Sequence, residues 1–202
     1  MTTTKMAAET RPARRDEARL IGRFVAMAGD GLAEYNWSTM AEAGEQPLDV
    51  AERRLSRPAG EADWSFENAR LAVDAAGRVI GALVAFGVPD RPSEPVPEDA
   101  DPVMRPLMVL EAPSSFYVAA IAVEPEMRGS GVGRALLGEA ERLAREAGYA
   151  RMSLVAFEEN IGAVGLYRRL GYVEAGREPL SPHPMVRRRG DAILMVKTLP
   201  TA

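Results

Sequence analysis

The stretch 123-VEPEMRGSGVGRALL-137 sets Arg128, Gly129, Gly131 and Gly133 between an apolar run and a helical pattern. Glycine loses more backbone freedom on folding than any other residue, so such density costs stability. A tight turn accounts for one glycine but hardly for three. Upstream, Phe116 to Val123 (FYVAAIAV) is the most apolar strand candidate of the chain. From Val132 a helical stripe follows, Val132, Leu136, Ala140, Leu143 and Ala147, with Glu139, Arg142 and Glu146 off it. A strand that ends in a glycine turn and opens a helix presents bare N–H groups at the positive end of the helix dipole. That is an anion site, most naturally for phosphate or pyrophosphate, with Arg128 or Arg134 adding charge. Two familiar phosphate motifs fail in detail. The dinucleotide fingerprint needs glycine where Arg134 stands, and the phosphate loop of nucleotide hydrolases needs a Gly-Lys-Ser/Thr that is missing here.

Working outward, Gly148 is a natural stop for this helix, and Arg151 to Phe157 reads as the next strand. Asn160 precedes a further helix to Leu170, which Gly171 ends. Tyr172 to Ala175 and Ala192 to Thr198 are strands, with the turn-prone segment Pro179 to Asp191 between them. Towards the N-terminus, residues 1–9 read as a tail and 10–202 as a single domain. Thr10 to Ala13 starts extended. Asp16 is the expected cap of a helix through Leu20, Ile21, Phe24, Val25 and Ala28, which Gly29 to Gly31 ends. A second helix holds Leu32, Tyr35, Asn36, Trp37 and Met40, and a third runs from Leu48 to Leu55. Asn68 to Asp74 and Arg78 to Val88 form a hairpin around Ala75, Ala76 and Gly77, with Leu71, Val73, Val79 and Leu83 facing a core. Residues 89–102 (VPDRPSEPVPEDADP with its leading Val88) are a proline-rich acidic loop that cannot pair as a central strand. Alternating strands and helices make this an α/β chain.

Composition removes several chemistries. There is no cysteine and one histidine, His183, so disulfides, thiolate metal sites, a cysteine acyl-enzyme and a His-rich zinc site are excluded, and no metal is expected. A net charge of -4 argues against general nucleic-acid binding. No run approaches the roughly 20 apolar residues of a membrane span. The N-terminus has no apolar segment of signal-peptide kind, so the expected location is cytoplasmic.

The glycine loop Arg128-Gly129-Ser130-Gly131-Val132-Gly133 resembles the Arg/Gln-x-x-Gly-x-Gly/Ala signature of the GNAT (GCN5-related) N-acetyltransferases. The run from Asn160 through Ala163, Leu166-Tyr167 and Gly171-Tyr172 resembles the family's second acetyl-CoA segment, in the right order and spacing. The resemblance implies a GNAT fold, in which helices flank a mixed central β-sheet whose central strands splay apart to admit the pantetheine arm of acetyl-CoA. It implies that Ile121 and Val123 offer main-chain groups to that arm and that Arg128, Gly129, Ser130, Gly131, Val132, Gly133 and Arg134 hold the pyrophosphate. Asn160 and Ala163 belong to the cofactor segment, and Tyr167 stands where the family places the acid that protonates the departing thiolate. A strand amide near Ile121 or Ala122 is the expected oxyanion donor.

The implied reaction is direct acetyl transfer from acetyl-CoA to a primary amine of a small molecule or protein. Many relatives carry a carboxylate or histidine base on the strand before the glycine loop, yet Tyr117 to Val123 has none. Glu111 and His183 are the candidate bases, and a water chain or an already neutral amine would need neither. Tyr35 and Trp37 are candidates for the acceptor site, although aromatics at helical spacing are more often core. Asp90, Glu94, Glu98, Asp99 and Asp101 are charges that would attract a cationic amine. Two other readings stay open at this point, a CoA-binding sensor or scaffold without catalysis and transfer of a longer acyl chain. Many relatives dimerise, but no stretch here fixes an oligomeric state.

Overall fold

The computed structural model describes residues 8–91 and 95–200. Glu94 and most of the N-terminal tail thus lie outside the described residues. Seven strands form a mixed sheet flanked by helices, in the order β1-β2-β3-β4-β5-β7-β6: β1 Glu9–Pro12, β2 Ala69–Val73, β3 Val79–Val88, β4 Ser115–Val123, β5 Arg151–Phe157, β6 Val173–Pro179 and β7 Asp191–Thr198. The helices are α1 Ala18–Gly29, α2 Leu32–Ser38, α3 Pro47–Leu55, α4 Arg105–Val109, α5 Val132–Glu146 and α6 Ile161–Arg169. Two compact units share the chain. One holds Met1–Ala85 with Ala119–Ala140, the other Phe86–Val118 with Glu141–Ala202.

In the first unit β1 pairs antiparallel with β2 (Glu9 opposite Val73, Pro12 opposite Arg70), and β2 pairs with β3. Asp74 makes the hairpin turn: its Oδ1 accepts from the N–H groups of Ala76 and Arg78 at 3.0 and 2.9 Å, and Gly77 takes φ 78. Leu71 and Leu83 are fully buried, as expected, whereas Val73 and Val79 at the hairpin end are half-buried. The expected cap at Asp16 is corrected. Arg15–Glu17 winds as a 3-10 turn, so Glu17, not Asp16, reaches back to the Arg14 N–H at 2.8 Å, and α1 starts at Ala18, one residue later than a cap at Asp16 implies. Arg11 grips the same carboxylate at 2.9 and 2.6 Å. On α1, Ile21, Phe24 and Val25 are buried, and Gly22 lets α3 approach: a Cβ there would meet the Ala51 methyl at 3.0 Å.

In the second unit β5 pairs in parallel with the start of β4, Phe116 to Val118 opposite Met152 to Leu154, and antiparallel with β7 along its whole length. β6 pairs antiparallel with β7. It runs on to Pro179, beyond the expected end at Ala175, because Arg177, Glu178 and Pro179 continue the ladder opposite Ile193, Ala192 and Asp191. The short α4, not foreseen, closes the proline-rich segment. The stripe expected on α5, a helix that begins in the first unit and ends in the second, is also corrected. Val132, Leu136, Ala140 and Ala144 are the buried i, i+4 row, Leu143 is half-buried and Ala147 is exposed, since the helix has ended by then. Gly148 at φ 79 stops it in a Schellman turn, with Tyr149 N–H to Ala144 O at 2.9 Å and Gly148 N–H to Arg145 O at 3.0 Å. Among the described residues no helix is long and apolar enough to cross a membrane.

Candidate active site

In the first unit the end of β4 leads into the glycine loop. Burial alternates along β4: Phe116, Val118, Ala120 and Ala122 are buried, while Tyr117, Ala119, Ile121 and Val123 are half-buried. Ile121 and Val123 therefore share the more open face of the strand. A 3-10 turn, Pro125–Met127, carries the chain out of the sheet. Met127 then anchors the loop, its carbonyl accepting from the Ser130 hydroxyl at 2.6 Å and the Ser130 N–H at 3.4 Å. Arg128 is exposed and folds back so that Nε donates to the Val123 carbonyl at 3.3 Å.

Gly129 and Gly131 take φ 77 and 101, values that side chains rarely allow, and among the described residues no atom beyond their chain neighbours lies within 4 Å of where their Cβ would stand. The loop is thus open on the glycine side. Gly133 differs from the expectation that three glycines shape the turn, since it lies in the first turn of α5. The first bond of the α5 ladder joins Ala135 N–H to Gly131 O at 3.0 Å. The N–H groups of Val132, Gly133 and Arg134 precede that ladder, so helix geometry leaves them for a ligand at the positive end of the dipole. Residues of this kind fit a pyrophosphate, which needs unhindered backbone donors. Arg134 is exposed at the same helix start. Elsewhere in this unit Tyr35 is half-buried on α2, and Trp37, at 6% exposure, belongs to the core.

In the second unit Asn160 caps α6, its Oδ1 accepting from the Ala163 N–H at 3.3 Å. Asn160 thus has its side-chain oxygen committed to the helix. Tyr167 lies in the last turn of α6 and is 8% exposed. Burial pushes its phenol up to about 12. Tyr172 follows Gly171, which stops α6 at φ 89, and burial raises its phenol further, with Tyr167 and Glu141 adding to the rise. The rings of Tyr167 and Tyr172 lie 5.9 Å apart between centroids. Tyr117, half-buried on β4, packs edge-on against Phe86 at 5.7 Å, and burial pushes it up to about 12 as well. Tyr172 was legible only as a motif aromatic, because its contact with Tyr167 depends on the turn between them.

Both candidate bases are in this unit and both are engaged. Glu111 pairs with Arg91 at 3.7 Å. His183 accepts the Met185 N–H on Nδ1 at 3.3 Å, which occupies one of the two ring nitrogens. Asp90 accepts from the Ser114 hydroxyl at 2.5 Å and Asp101 from the Val103 N–H at 2.8 Å, so two of the loop acids serve local structure. Among the described residues no group of histidine and carboxylate side chains is arranged to hold a metal ion.

Residues 33–172 match the model of the Acetyltransferase (GNAT) family. A mycothiol acetyltransferase from Pseudarthrobacter chlorophenolicus is 35% identical over 114 residues, which cover 55% of this chain and 29% of that protein. The matched stretches span under a third of the curated relatives. Among solved structures, a GCN5-related N-acetyltransferase from Kribbella flavida shares the fold with a TM-score of 0.61 at 24% identity, over 96% of this chain and 98% of that one. An N-acetyltransferase from Staphylococcus aureus Mu50 gives 0.63 at 19% identity, over 94% and 100%.

Proposed function

Because the chain belongs to the acetyltransferase (GNAT) family, we propose that it transfers the acetyl group of acetyl-CoA directly to a primary amine of a small molecule or protein. The observation that carries this reading is the glycine loop. It combines two left-handed glycines, open space beside them and the first N–H groups of α5, which precede the helix's own ladder. In this reading the loop and α5 bind the pyrophosphate, and the main chain at Ile121 and Val123 aligns the pantetheine arm.

The amine nitrogen attacks the thioester carbon, the carbon–sulfur bond breaks, the nitrogen gives up a proton and the thiolate sulfur gains one. An N–H near the end of β4 receives the developing oxyanion. Tyr167 faces the thiolate in this scheme. A thiol ordinarily ionises near 8.5, and Tyr167 is raised to about 12. Outright proton transfer between such groups is uphill by about 5 kcal/mol. Tyr167 therefore acts chiefly by donating a hydrogen bond that stabilises the leaving thiolate, and the proton on sulfur comes ultimately from the amine through water. Burial has a benefit here, since a dry phenol stays protonated and its hydrogen bond is stronger in low dielectric.

With Glu111 and His183 both engaged, the acceptor supplies its own lone pair. The rate is then expected to rise with pH until the amine is neutral. His183→Gln and Glu111→Gln should change kcat less than about threefold. A collapse of the rate in either variant, with folding intact, would establish that residue as the base.

The first test is thermal unfolding with acetyl-CoA, CoA and NAD. Acetyl-CoA and CoA should raise the melting temperature with concentration and NAD should not. No shift with acetyl-CoA would remove the basis of the proposal. Thiol release from acetyl-CoA across an amine panel then separates an enzyme from a non-catalytic CoA sensor.

A further inference from the structure

Tyr167 meets the residue five positions on twice, through the backbone and through the ring. Helix α6 ends in a Schellman turn: the Tyr172 N–H donates to the Tyr167 carbonyl at 3.0 Å and the Gly171 N–H to the Arg168 carbonyl at 3.1 Å. Gly171 at φ 89 makes this reversal without strain. The turn swings the Tyr172 ring back onto the Tyr167 ring, 5.9 Å away and tilted by 59°. Tyr172 is itself fixed. It is 3% exposed, and its hydroxyl donates to the Met152 sulfur on β5 at 3.7 Å, a residue with no exposure at all. Tyr167 is thus tied to Tyr172 at the backbone and at the ring, and Tyr172 is tied to β5.

We propose that Tyr172 is the positioning residue of the proposed hydrogen-bond donor Tyr167, holding its ring in one orientation and keeping water from it. The inference rests on the acetyl-transfer reading above. A Schellman turn often carries an apolar contact for stability alone, and the test must separate that role from positioning. The two differ in what happens when Tyr167 has lost its hydroxyl. A positioning residue then has nothing left to position.

The experiment is a double-mutant cycle of Tyr167→Phe with Tyr172→Met, and with Tyr172→Leu should the first variant fold poorly. Rates are read as thiol release from acetyl-CoA with propylamine as the probe acceptor, and acetyl-CoA affinity is read by calorimetry. Tyr172→Met is expected to lower kcat about tenfold in the wild-type background and less than about twofold in the Tyr167→Phe background. Acetyl-CoA affinity should stay within about threefold. Tyr172→Phe keeps the ring and should keep most of the rate. Equal losses in both backgrounds would make Tyr172 a purely structural residue and overturn the proposal. A Tyr167→Phe enzyme with full activity would instead remove the role of Tyr167 itself, and the positioning role with it.

A second readout needs no turnover. In protein labelled at the tyrosine ring carbon, wild-type Tyr167 should show no ionisation up to about pH 10.5, while in Tyr172→Met, where water reaches the ring, its titration should move down towards the ordinary phenol value of about 10. An unchanged Tyr167 signal in the folded variant overturns the proposal even where no acceptor reacts.

Discussion

At Gly131 the backbone takes φ 101 with empty space around the missing side chain. A methyl group there meets no atom, so any harm from Gly131→Ala comes from backbone strain and from crowding a ligand. The strain is worth about 1–3 kcal/mol. Gly138 gives the contrast. It lies in α5 with nothing near its absent Cβ and no left-handed φ, so Gly138→Ala should stabilise by about 0.5–1 kcal/mol. The pair is expected to diverge in both melting temperature and acetyl-CoA affinity, with Gly131→Ala weakening binding at least about tenfold and Gly138→Ala leaving it unchanged. Equal affinities by calorimetry would mean that the loop backbone does not touch the ligand. Residue types alone announced that bare backbone was needed here. They did not separate Gly129 and Gly131 from Gly133, because the difference lies in φ and in where α5 begins.

Helix α6 shows what a short element can and cannot reveal in advance. Its limits were legible from Asn160 and Gly171, since a cap and a left-handed stop are local chemistry. The stripe of α5 differs from the expectation at its far end: Ala144 rather than Leu143 is buried, because an i, i+4 row drifts around the axis as the helix lengthens, and Ala147 lies beyond the last helical residue. Helix α4 escaped notice altogether: five residues with Pro106 in the first turn are too few for a period to register. The α6 cap also offers a separation of roles. Asn160→Ala should cost about 1 kcal/mol by losing the bond to the Ala163 N–H, while Asn160→Ser and Asn160→Asp should restore it. If Asn160 only caps, both substitutions also restore acetyl-CoA affinity. Stability recovered without affinity would assign the rest of the amide to the cofactor.

The boundaries of the two compact units cut through β3, β4 and α5 rather than through linkers. Periodicity sees each of these elements as one piece. What holds each unit together is partly electrostatic, and that sets the acid response of the molecule. The hydrogen bond from Arg11, with the Arg14 N–H, holds Glu17 below its ordinary 4.5 despite the opposing effect of burial. Burial pushes Glu141 up, but the hydrogen bonds from Lys197 and Arg145 outweigh it and hold that carboxyl low as well. Asp74 is lowered by the Arg78 N–H. In each case the folded value lies below the unfolded one. The stabilisation is therefore complete above the unfolded value and lost as pH falls through the folded value. The melting temperature should be flat from about pH 6 to 8 and decline below about pH 4.5. Glu17→Gln isolates one share of that decline. It should cost about 1.5–3 kcal/mol at pH 7, where the wild-type carboxylate is charged and held by Arg11. The deficit should shrink as acid protonates the wild-type group, so the two melting curves converge towards pH 3. A deficit that stays constant with pH would mean that the charge of Glu17 contributes nothing and that only the shape of the turn matters.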